Sequence, residues 1–256
     1  MALTCRISTL SVVLTIPIFV ATSQTWQTQL VNPGSINNPR SVCYDDSGFP
    51  IVIYTVNAYQ IFFSRWNGTS WESREIVHAQ NYSATFIAAI RKDSLIHCFY
   101  YYSSNYYTYD VQLRLDGTVK TSTTVGYTSG SDGDVAVEPT GEMVFVYSYN
   151  GIRARRYSFS TNVWSPEEIV DGSVSLSNPA IATSSSGAIW VAYKDGLGLN
   201  LKVARSNATG WNVWFVDTDG NVGQNPQIQV DASNTAHITY YDATNRSLKY
   251  ATFSAP

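Results

Sequence analysis

Two aspartates occupy matching positions in the sequence and could supply a pair of carboxylates. Asp195 and Asp242 each stand two residues after a tyrosine, Tyr193 and Tyr240 respectively. A glycoside hydrolase needs two carboxylates about 5 to 9.5 Å apart, one as an acid and the other as a base or nucleophile. An Asp in a turn can instead accept hydrogen bonds from nearby backbone amides. Both interpretations, a catalytic pair and two turn residues, follow from the same pattern.

Aromatic and amide side chains occur in the same kind of segment as these aspartates. A Tyr ring offers an apolar face to the C–H surface of a sugar and a hydroxyl to its polar edge, and Asn and Asp add donors and acceptors. Such a set suits a mostly neutral, hydroxyl-rich ligand such as a glycan. The alternative is that the rings pack in the interior and the amides serve turns. The candidate ligand-binding residues are Asn57, Tyr59, Tyr102, Tyr106, Tyr149, Asn150, Asp195, Tyr241 and Asp242.

The candidate residues recur because the chain contains a repeat of about 46 residues. An apolar strand ends on a Tyr five times, and six residues earlier stands a Gly, Ser or Asn of the kind found in tight hairpin turns. Each unit also has a preceding strand, a third strand and a fourth that usually opens on Trp. We name these strands a, b, c and d. The repeat tyrosines are Tyr54, Tyr100, Tyr147, Tyr193 and Tyr240, with spacings of 46, 47, 46 and 47 residues.

Five four-stranded units favour a ring. One such sheet cannot bury both of its faces, so repeats of this kind stack around an axis as blades. The fifth repeat ends after strand c near Ser254, and the Trp-to-Val spacing of Trp26–Val31 matches that of Trp211–Val216. We therefore predict an all-β, five-bladed β-propeller closed by the N-terminal strand, with a tandem of immunoglobulin-like sandwiches as the alternative. The predicted single domain, 24–256, has repeats at 38–79, 82–125, 131–171, 177–217 and 224–254 plus 25–31.

The ring topology predicts where ligands bind. In a propeller, the b-to-c loops and the d-to-a loops lie on one rim, and the candidate tyrosines, amides and aspartates fall in or beside the b-to-c loops. His97 and His237 belong to repeats two and five, which are not neighbours in a ring of five, so they do not suggest a shared metal site. The sequence contains no C-x-x-C, G-x-S-x-G or G-x-x-x-x-G-K-[ST] motif. We predict neither a metal nor a cofactor.

The first 23 residues have the features of a secretory signal peptide. Arg6 precedes an apolar stretch of 12 residues, 10–21, and the small residues Ala21 and Ser23 follow at signal-peptidase spacing. Twelve residues are too few for a bilayer, which needs about 20. We predict a secreted, extracellular protein with no membrane span. In that compartment four sequons become glycosylation sites, Asn67, Asn81, Asn207 and Asn245.

The mature chain retains two cysteines, Cys43 and Cys98. An oxidising compartment permits a disulfide between them, and two separate buried thiols are the alternative, because sequence does not reveal their separation. Charged residues make up 14% of the chain and the net charge is −3. Nucleic-acid binding requires a concentrated Lys/Arg surface, which this composition does not provide.

The repeats resemble those of secreted sialidase-like propellers of the BNR or Asp-box type. The resemblance rests on the NP-x-I strand, the HITYYDATNRSLKYA segment and the Trp-to-Val strand. An Asp-box, S-x-D-x-G-x-T-W, is approximated by Ser64, Gly68 and Trp71, with Trp66 at the Asp position. The family implies a propeller fold. Its sialidases use six blades and an arginine triad, whereas this chain has five repeats and lacks the catalytic motifs.

Three functions follow from these observations. The leading one is a non-enzymatic, lectin-like protein that binds a glycan or glycoconjugate through rim Tyr, Asn and Asp residues. The second is a propeller glycoside hydrolase, sialidase-like or five-bladed, that acts through Asp195 and Asp242. The third is a protein-interaction scaffold. The sequence leaves the oligomeric state open.

Overall fold

Every regular element that the structure describes is a β-strand. The structure is a computed structural model, and it describes residues 28–31, 36–79, 82–128 and 132–254, with the backbone alone for 36–40. Residues 1–32 form a unit of their own, and its described part, 28–31, contains no strand. The signal peptide and Asn81 lie outside the described residues. Of the strand predicted at Trp26–Val31, only residues 28–31 are described, and they are not in a strand. All the strands below belong to the second unit, 33–256.

Twenty strands form five antiparallel sheets in chain order. The first contains β1 (Ile36–Tyr44), β2 (Pro50–Val56), β3 (Gln60–Trp66) and β4 (Trp71–His78). The second contains β5 (Ala84–Lys92), β6 (Leu95–Tyr102), β7 (Tyr107–Arg114) and β8 (Val119–Tyr127). The third contains β9 (Gly133–Val137), β10 (Met143–Ser148), β11 (Ile152–Ser158), β12 (Val163–Trp164) and β13 (Glu168–Asp171). The fourth contains β14 (Leu176–Thr183), β15 (Ile189–Asp195), β16 (Asn200–Asn207) and β17 (Gly210–Asp217), and the fifth β18 (Gln224–Val230), β19 (Thr235–Asp242) and β20 (Ser247–Ser254).

The all-β prediction and the division into five sheets are confirmed, and the fifth sheet has three described strands. One strand differs from expectation. The sequence predicts a continuous strand d from Trp164 to Val170, but β12 and β13 pair separately with β11 and are divided around Pro166. Proline has no amide hydrogen to give to a sheet, so it interrupts the ladder at that point.

The a-to-b turns show why the chain reverses at regular intervals. Asp45 accepts hydrogen bonds from the amides of Ser47 and Phe49 at 2.8 and 2.9 Å, and Asp231 does the same in the last repeat. Gly48 then adopts a φ of 80°, a left-handed conformation that glycine enters without steric cost. These acids belong to turns, as their sequence positions suggest.

Neighbouring sheets pack face to face through four apolar clusters, each shared between two consecutive sheets. Phe99 and Phe145, for example, stack between the second and third sheets with ring centroids 4.5 Å apart. The innermost strands contact each other in the order β1, β5, β9, β14, β18. The sheets therefore stack as blades whose first strands line a common axis.

The repeat tyrosine joins consecutive sheets in the second half of the chain. The Tyr193 hydroxyl donates to Asp171 Oδ2 at 2.8 Å, and Lys202 Nζ donates to the same oxygen at 3.0 Å. Asp171 ends the last strand of the third sheet, whereas Tyr193 and Lys202 belong to the fourth. The fourth and fifth sheets repeat this arrangement with Asp217, Tyr240 and Lys249. We call these two arrangements the Tyr–Asp–Lys links.

Cys43 and Cys98 are free thiols. Cys98 is buried in the cluster between the first and second sheets, and Cys43 packs at its edge. Burial raises the pKa of the Cys43 thiol to about 11, so this thiol is protonated and weakly nucleophilic at neutral pH.

The two histidines singled out by the repeat occupy different environments. His97 is buried against Tyr157 and Phe159, with Nδ1 2.9 Å from Asp110 Oδ2. His237 is partly exposed and contacts the Tyr250 hydroxyl at 2.5 Å. His97 therefore packs between the second and third sheets, while His237 lies on one face of the fifth.

Candidate functional site

The b-to-c turns and the d-to-a loops lie on one rim, because backbone hydrogen bonds join them directly. The amide of Thr128 donates to the carbonyl of Tyr106 at 2.8 Å, and the amide of Gly196 donates to Ser175 at 2.9 Å. The first and fifth sheets make equivalent bonds. We call this edge the upper rim. Its b-to-c turns contain residues 57–59, 103–106, 149–151, 196–199 and 243–246.

Four tyrosines form a continuous aromatic surface on the upper rim, across the second and third sheets. Tyr127 is at the centre, with ring centroids 5.9 Å from Tyr106, 5.5 Å from Tyr107 and 5.0 Å from Tyr149. Tyr106, Tyr107 and Tyr127 are 52%, 38% and 39% exposed. Edge-to-face contacts stabilise the rings against each other while leaving part of each face free. We call this group the rim tyrosine cluster.

Hydrogen bonds fix the backbone beneath the rim tyrosine cluster. The Tyr106 amide donates to the Tyr102 carbonyl at 3.1 Å, and Tyr106 has a φ of 63°. On the neighbouring sheet, Arg153 Nε donates to the Tyr149 carbonyl at 2.9 Å, and another guanidinium nitrogen donates to the Asn150 carbonyl. These bonds hold the two turns that carry the rings. The surface is therefore largely formed before any ligand binds, which lowers the entropic cost of binding.

Sequence reasoning found part of this cluster and missed its centre. Tyr106 and Tyr149 are among the predicted binding residues, and Tyr107 stands beside Tyr106 in the same aromatic b-to-c loop, whereas Tyr127 is not predicted. Tyr127 ends β8, two residues after the Val that marks strand d. Its position at the end of a strand d places it on the upper rim, because the d-to-a loops share that rim with the b-to-c turns. The prediction covers only the aromatic residues in or beside the b-to-c turns.

The other predicted binding residues lie elsewhere on the rim. Tyr102 packs edge-on against Tyr82, with ring centroids 6.1 Å apart. Asn57 adopts a φ of 52° in the turn of the first sheet, where Tyr59 is exposed. Tyr241 is exposed on β19 of the last sheet. These residues belong to the turns or strand ends of different sheets, so the structure distributes them around the rim.

Asp195 and Asp242 each bind the amides of their own turn. Asp195 Oδ1 accepts hydrogen bonds from Leu197 and Gly198 at 3.1 and 3.0 Å. Asp242 accepts bonds from the backbone amide and the side-chain amide of Asn245 at 3.0 and 2.8 Å. The side chain of Asn245, followed by its backbone amide, lowers the pKa of Asp242. This geometry is that of turn-capping carboxylates.

Three of the four sequons are within the described residues. Asn67 and Asn207 each begin a turn in which the side-chain oxygen accepts hydrogen bonds from Thr69 and Thr209 respectively. The Asn67 Nδ2 atom donates to Glu72, and the Asn245 Nδ2 atom donates to Asp242. Asn245 lies on the upper rim, so a glycan there would be close to the ligand-binding edge of the fifth sheet.

Neither metal clusters nor membrane helices occur in the described chain. No three His, Cys, Asp or Glu side chains in the ranges the structure describes come together as a metal site. Over the same residues, no helix has the length and apolarity to cross a membrane.

Comparisons with known proteins identify the class of fold. No protein-family model and no curated protein matches the sequence. Among solved structures, the SapL1 lectin in complex with alpha methyl fucoside is similar with a TM-score of 0.59 and 11% identity, over 89% of this chain and 80% of that chain. The GH43_1 enzyme from Xanthomonas citri complexed with xylotriose is similar with a TM-score of 0.50 and 11% identity, over 84% of this chain and 86% of that chain.

A bifunctional GH43-CE protein from Bacteroides eggerthii is similar with a TM-score of 0.50 and 12% identity, over 89% of this chain. The alignment spans 34% of that protein, so the present chain corresponds to about a third of its length. At these identities the likeness concerns the fold. The protein has a β-propeller type of fold, and its structural relatives support this class without pointing to sialidases in particular.

Proposed function

We propose that this protein is a secreted, non-enzymatic carbohydrate-binding propeller that holds a glycan on the rim tyrosine cluster. The observation that carries the proposal is the rim tyrosine cluster, in which Tyr106, Tyr107 and Tyr127 are exposed and Tyr127 contacts the partly buried Tyr149. Two of the structural relatives were solved with a sugar, a fucoside in one and xylotriose in the other. These complexes support a carbohydrate ligand for a chain of this fold.

The chemistry of the cluster fits a neutral sugar. The exposed ring faces can stack on sugar C–H groups, and the four hydroxyls can exchange hydrogen bonds with the sugar's own hydroxyls. A surface of this kind binds a single sugar weakly. Clustered glycans presented to several copies of the protein would bind more tightly through avidity, without any new contact.

A glycoside hydrolase is the second candidate, and its support comes from the GH43 relatives. The carboxylates nominated for it, Asp195 and Asp242, are occupied by turn amides. A hydrolase would have to release these bonds to use both groups. For this reason binding without turnover is the better-supported function.

We propose further that the five sheets are the blades of a closed ring, and that residues 25–31, of which the described part 28–31 is not in a strand here, pair with the last blade as its fourth strand. The three described strands of the fifth sheet and the shared Trp-to-Val spacing of Trp26–Val31 and Trp211–Val216 support this closure. Closure would hold the upper rim as one continuous edge.

Glycan-array binding by the mature chain tests the proposed function. Wild-type protein should give discrete glycan signals, and Tyr127→Ala and Tyr149→Ala should each weaken them about tenfold or more, because either change removes a stacking face. Tyr127→Phe keeps the ring and should keep most of the binding. Tyr44, an exposed tyrosine at the end of β1 next to the a-to-b turn, provides the matched control. Tyr44→Ala should bind like the wild type.

Three outcomes would contradict the proposal. An array without signals for the wild type would exclude a glycan ligand among those printed. Equal weakening by Tyr44→Ala and Tyr127→Ala would show that the cluster has no special role. Turnover of aryl glycosides that is lost in Asp195→Asn and Asp242→Asn would establish the hydrolase instead.

A further inference from the structure

A second candidate site lies on the axis side of the innermost strands, separate from the rim tyrosine cluster. It is a cavity of about 240 Å³ between β5, β9, β14 and β18. Four consecutive sheets thus contribute their first strands to a single space. The cavity is lined by Ile87, Asp132, Gly133, Asn178, Pro179, Asn225, Pro226 and Gln227.

A repeated Asn-Pro bulge shapes two sides of this cavity. Asn178 and Asn225 have φ values of 52° and 47°, and a proline follows each of them. The pairing registers of β14 and β18 shift at these residues. An extra residue in a strand bends it and redirects a side chain. The same device in two neighbouring sheets therefore presents two carboxamides to the same space.

The backbone conformation at these asparagines is unusual. A residue before proline is normally extended, and a left-handed φ in a residue other than glycine costs about 1 to 3 kcal/mol. Asn tolerates this region better than most residues, because its short side chain is polar. Regular β14 and β18 strands without the bulge would avoid this strain. The strained conformation occurs at Asn178 and at Asn225, both of which line the cavity, and this points to a role for the two side chains.

The polar groups of the cavity define the class of ligand. The two Asn carboxamides carry both donors and acceptors, and Gln227 adds an acceptor oxygen beside an Nε2 that donates to the Pro226 carbonyl at 2.9 Å. Asp132 adds a carboxylate whose Oδ2 accepts a bond of 3.4 Å from the backbone amide of Asn178. Among the lining residues there is no Lys or Arg, so an anionic ligand would meet an uncompensated carboxylate. Pro179, Pro226 and Ile87 supply apolar surface. This mixture suits a neutral, hydroxyl-rich molecule.

The size of the cavity and its single lining carboxyl group narrow the class of ligand. Pockets for drug-sized ligands occupy about 300 to 1,000 Å³, so 240 Å³ suits a single sugar ring. The nearby Asp134 is half-buried, and its two carboxyl oxygens accept hydrogen bonds from the backbone amides of Val135 and Ile181. Burial raises the pKa of Asp134. Asp132 supplies the one carboxyl group among the lining residues, so the cavity does not present the pair of carboxylates that glycoside hydrolysis needs, and it is suited to binding.

We propose that this axial cavity binds one neutral monosaccharide ring through the side chains of Asn178, Asn225 and Gln227. The site is independent of the rim tyrosine cluster, since no residue is common to the two sets. A glycan chain on the upper rim and a single ring at the axis would then be recognised by different chemistry, stacking in one case and amide hydrogen bonds in the other.

Calorimetric titration and saturation-transfer NMR with a panel of neutral methyl monosaccharides test the proposal. The variants Asn178→Gly and Asn225→Gly remove the carboxamides, and glycine accepts the left-handed φ without strain. Each should weaken monosaccharide binding about tenfold or more. Asn234→Gly is the matched control, because Asn234 also has a positive φ, 61°, but lies in an a-to-b turn at the opposite edge. This control should bind like the wild type.

A second variant separates a loss of ligand contacts from a loss of folding. Gln227→Ala leaves the bulge intact and should also weaken binding, with unchanged near-UV circular dichroism and thermal unfolding. The axial site is supported if monosaccharide binding is retained in Tyr127→Ala and Tyr149→Ala and lost in the glycine variants. This conclusion does not depend on the result of the glycan array. Binding lost only in the tyrosine variants overturns the axial site and leaves the proposed function standing. The axial site is also overturned if the wild type binds no member of the panel.

Discussion

The repeat tyrosine donates a hydrogen bond to the preceding sheet wherever the last strand of that sheet ends on an Asp. At Tyr193 and Tyr240 the hydroxyl and a Lys from the next strand share one Asp oxygen. Gly126 occupies the corresponding strand end before Tyr147, and a Cβ there would lie 3.2 Å from the Tyr147 hydroxyl. Tyr147 instead donates to Glu167 at 2.5 Å. The same residue type is thus retained while its partner changes.

The Tyr–Asp–Lys link at Asp171 predicts a pH-dependent contribution to stability. Burial acts to raise the pKa of Asp171, but hydrogen bonds from Ser173, Lys202 and Tyr193 outweigh it and lower the pKa to about 2. A lowered carboxyl pKa stabilises the folded state above the unfolded value near 3.8, and this contribution is lost as the pH falls towards 2. The shift corresponds to about 2 kcal/mol at pH 7.

We expect Asp171→Asn to lower the free energy of unfolding by about 2 kcal/mol at pH 7. The difference from the wild type should shrink as the pH falls from 4 to 2, because Asp171 then becomes protonated in both states. Urea denaturation at a series of pH values measures it. Asp93→Asn, an exposed turn change, should have almost no effect at any pH. If the free energy of unfolding of Asp171→Asn stayed below that of the wild type by a constant amount down to pH 2, the charge of Asp171 would not be the source of the stabilisation.

The sequence identified the repeat tyrosines but not their partners. Asp171 and Tyr193 are 22 residues apart and lie on different sheets, so only the packing of one sheet on the next brings them together. For the same reason, Tyr127 and Tyr149 became neighbours only in three dimensions. The turn aspartates could be predicted, because their partners lie within four residues in the chain.

At the level of strands, the innermost edge of each sheet needs partners for its backbone amides, because the ladder has no further strand on that side. Side chains of the preceding sheet provide some of them. Ser41 Oγ accepts a bond from the Ala89 amide at 3.2 Å, and Asp134 Oδ2 accepts one from the Ile181 amide at 3.0 Å. An edge satisfied in this way is a poor template for pairing with another chain.

Gly133 at the start of β9 has little space around it, because it faces β10 of its own sheet and Ile87 of β5 in the preceding sheet. A Cβ at Gly133 would lie 2.8 Å from Phe145 Cζ and 2.9 Å from the carbonyl oxygen of Val146. At Gly172 the nearest atom, from Ile169, would be 3.6 Å away. The first position has no room for a methyl group and the second does.

Gly133→Ala should therefore destabilise the fold by about 1 to 3 kcal/mol through overpacking. Gly172→Ala, the matched control, should stay within about 0.5 kcal/mol of the wild type. Urea denaturation of the two variants under identical conditions makes the comparison. Equal stabilities for the two variants would mean that β9 can move away from its neighbours at little cost.

Strand positions were easier to predict than strand continuity. The strands that contain the repeat tyrosines, β2, β6, β10, β15 and β19, follow from apolar runs and turn residues alone, although each extends one or two residues beyond its tyrosine. The Trp-to-Val spacing of the third repeat predicts one continuous strand, whereas Pro166 within it accounts for the break between β12 and β13. The bulges of β14 and β18 depend on pairing registers that periodicity does not encode.

At the level of the whole molecule, the second to fifth sheets follow a curved path around one cavity. β5 and β18 belong to the second and fifth sheets, yet both line the axial cavity. The fifth sheet still has an exposed outer edge, which is β20 in the described chain. Leu248 and Tyr250 on β20 are 79% and 60% exposed, and β20 is the edge of the fifth sheet in the described chain. An edge of this composition invites pairing with a further strand.

The proposed closure predicts the effect of removing the N-terminal strand. A mature chain that begins at residue 32 instead of 24 should leave the outer edge of β20 unpaired, while its ladder with β19 remains. A loss of about 2 kcal/mol would lower the Tm by about 4 to 8 °C for a chain of this size. The free edge should also promote self-association, visible as higher-mass species in light scattering.

A peptide covering residues 24–32, added to the truncated chain, should restore the Tm by strand addition. The same peptide with Trp26→Ala should do so less well, because Trp26 matches the strand-opening Trp211 of the fourth sheet. Closure by this strand would be refuted by a truncated chain that unfolds at the wild-type temperature and remains monodisperse. A truncated chain that loses stability but does not respond to the peptide would also count against it, since pairing with β20 requires only that edge to be free.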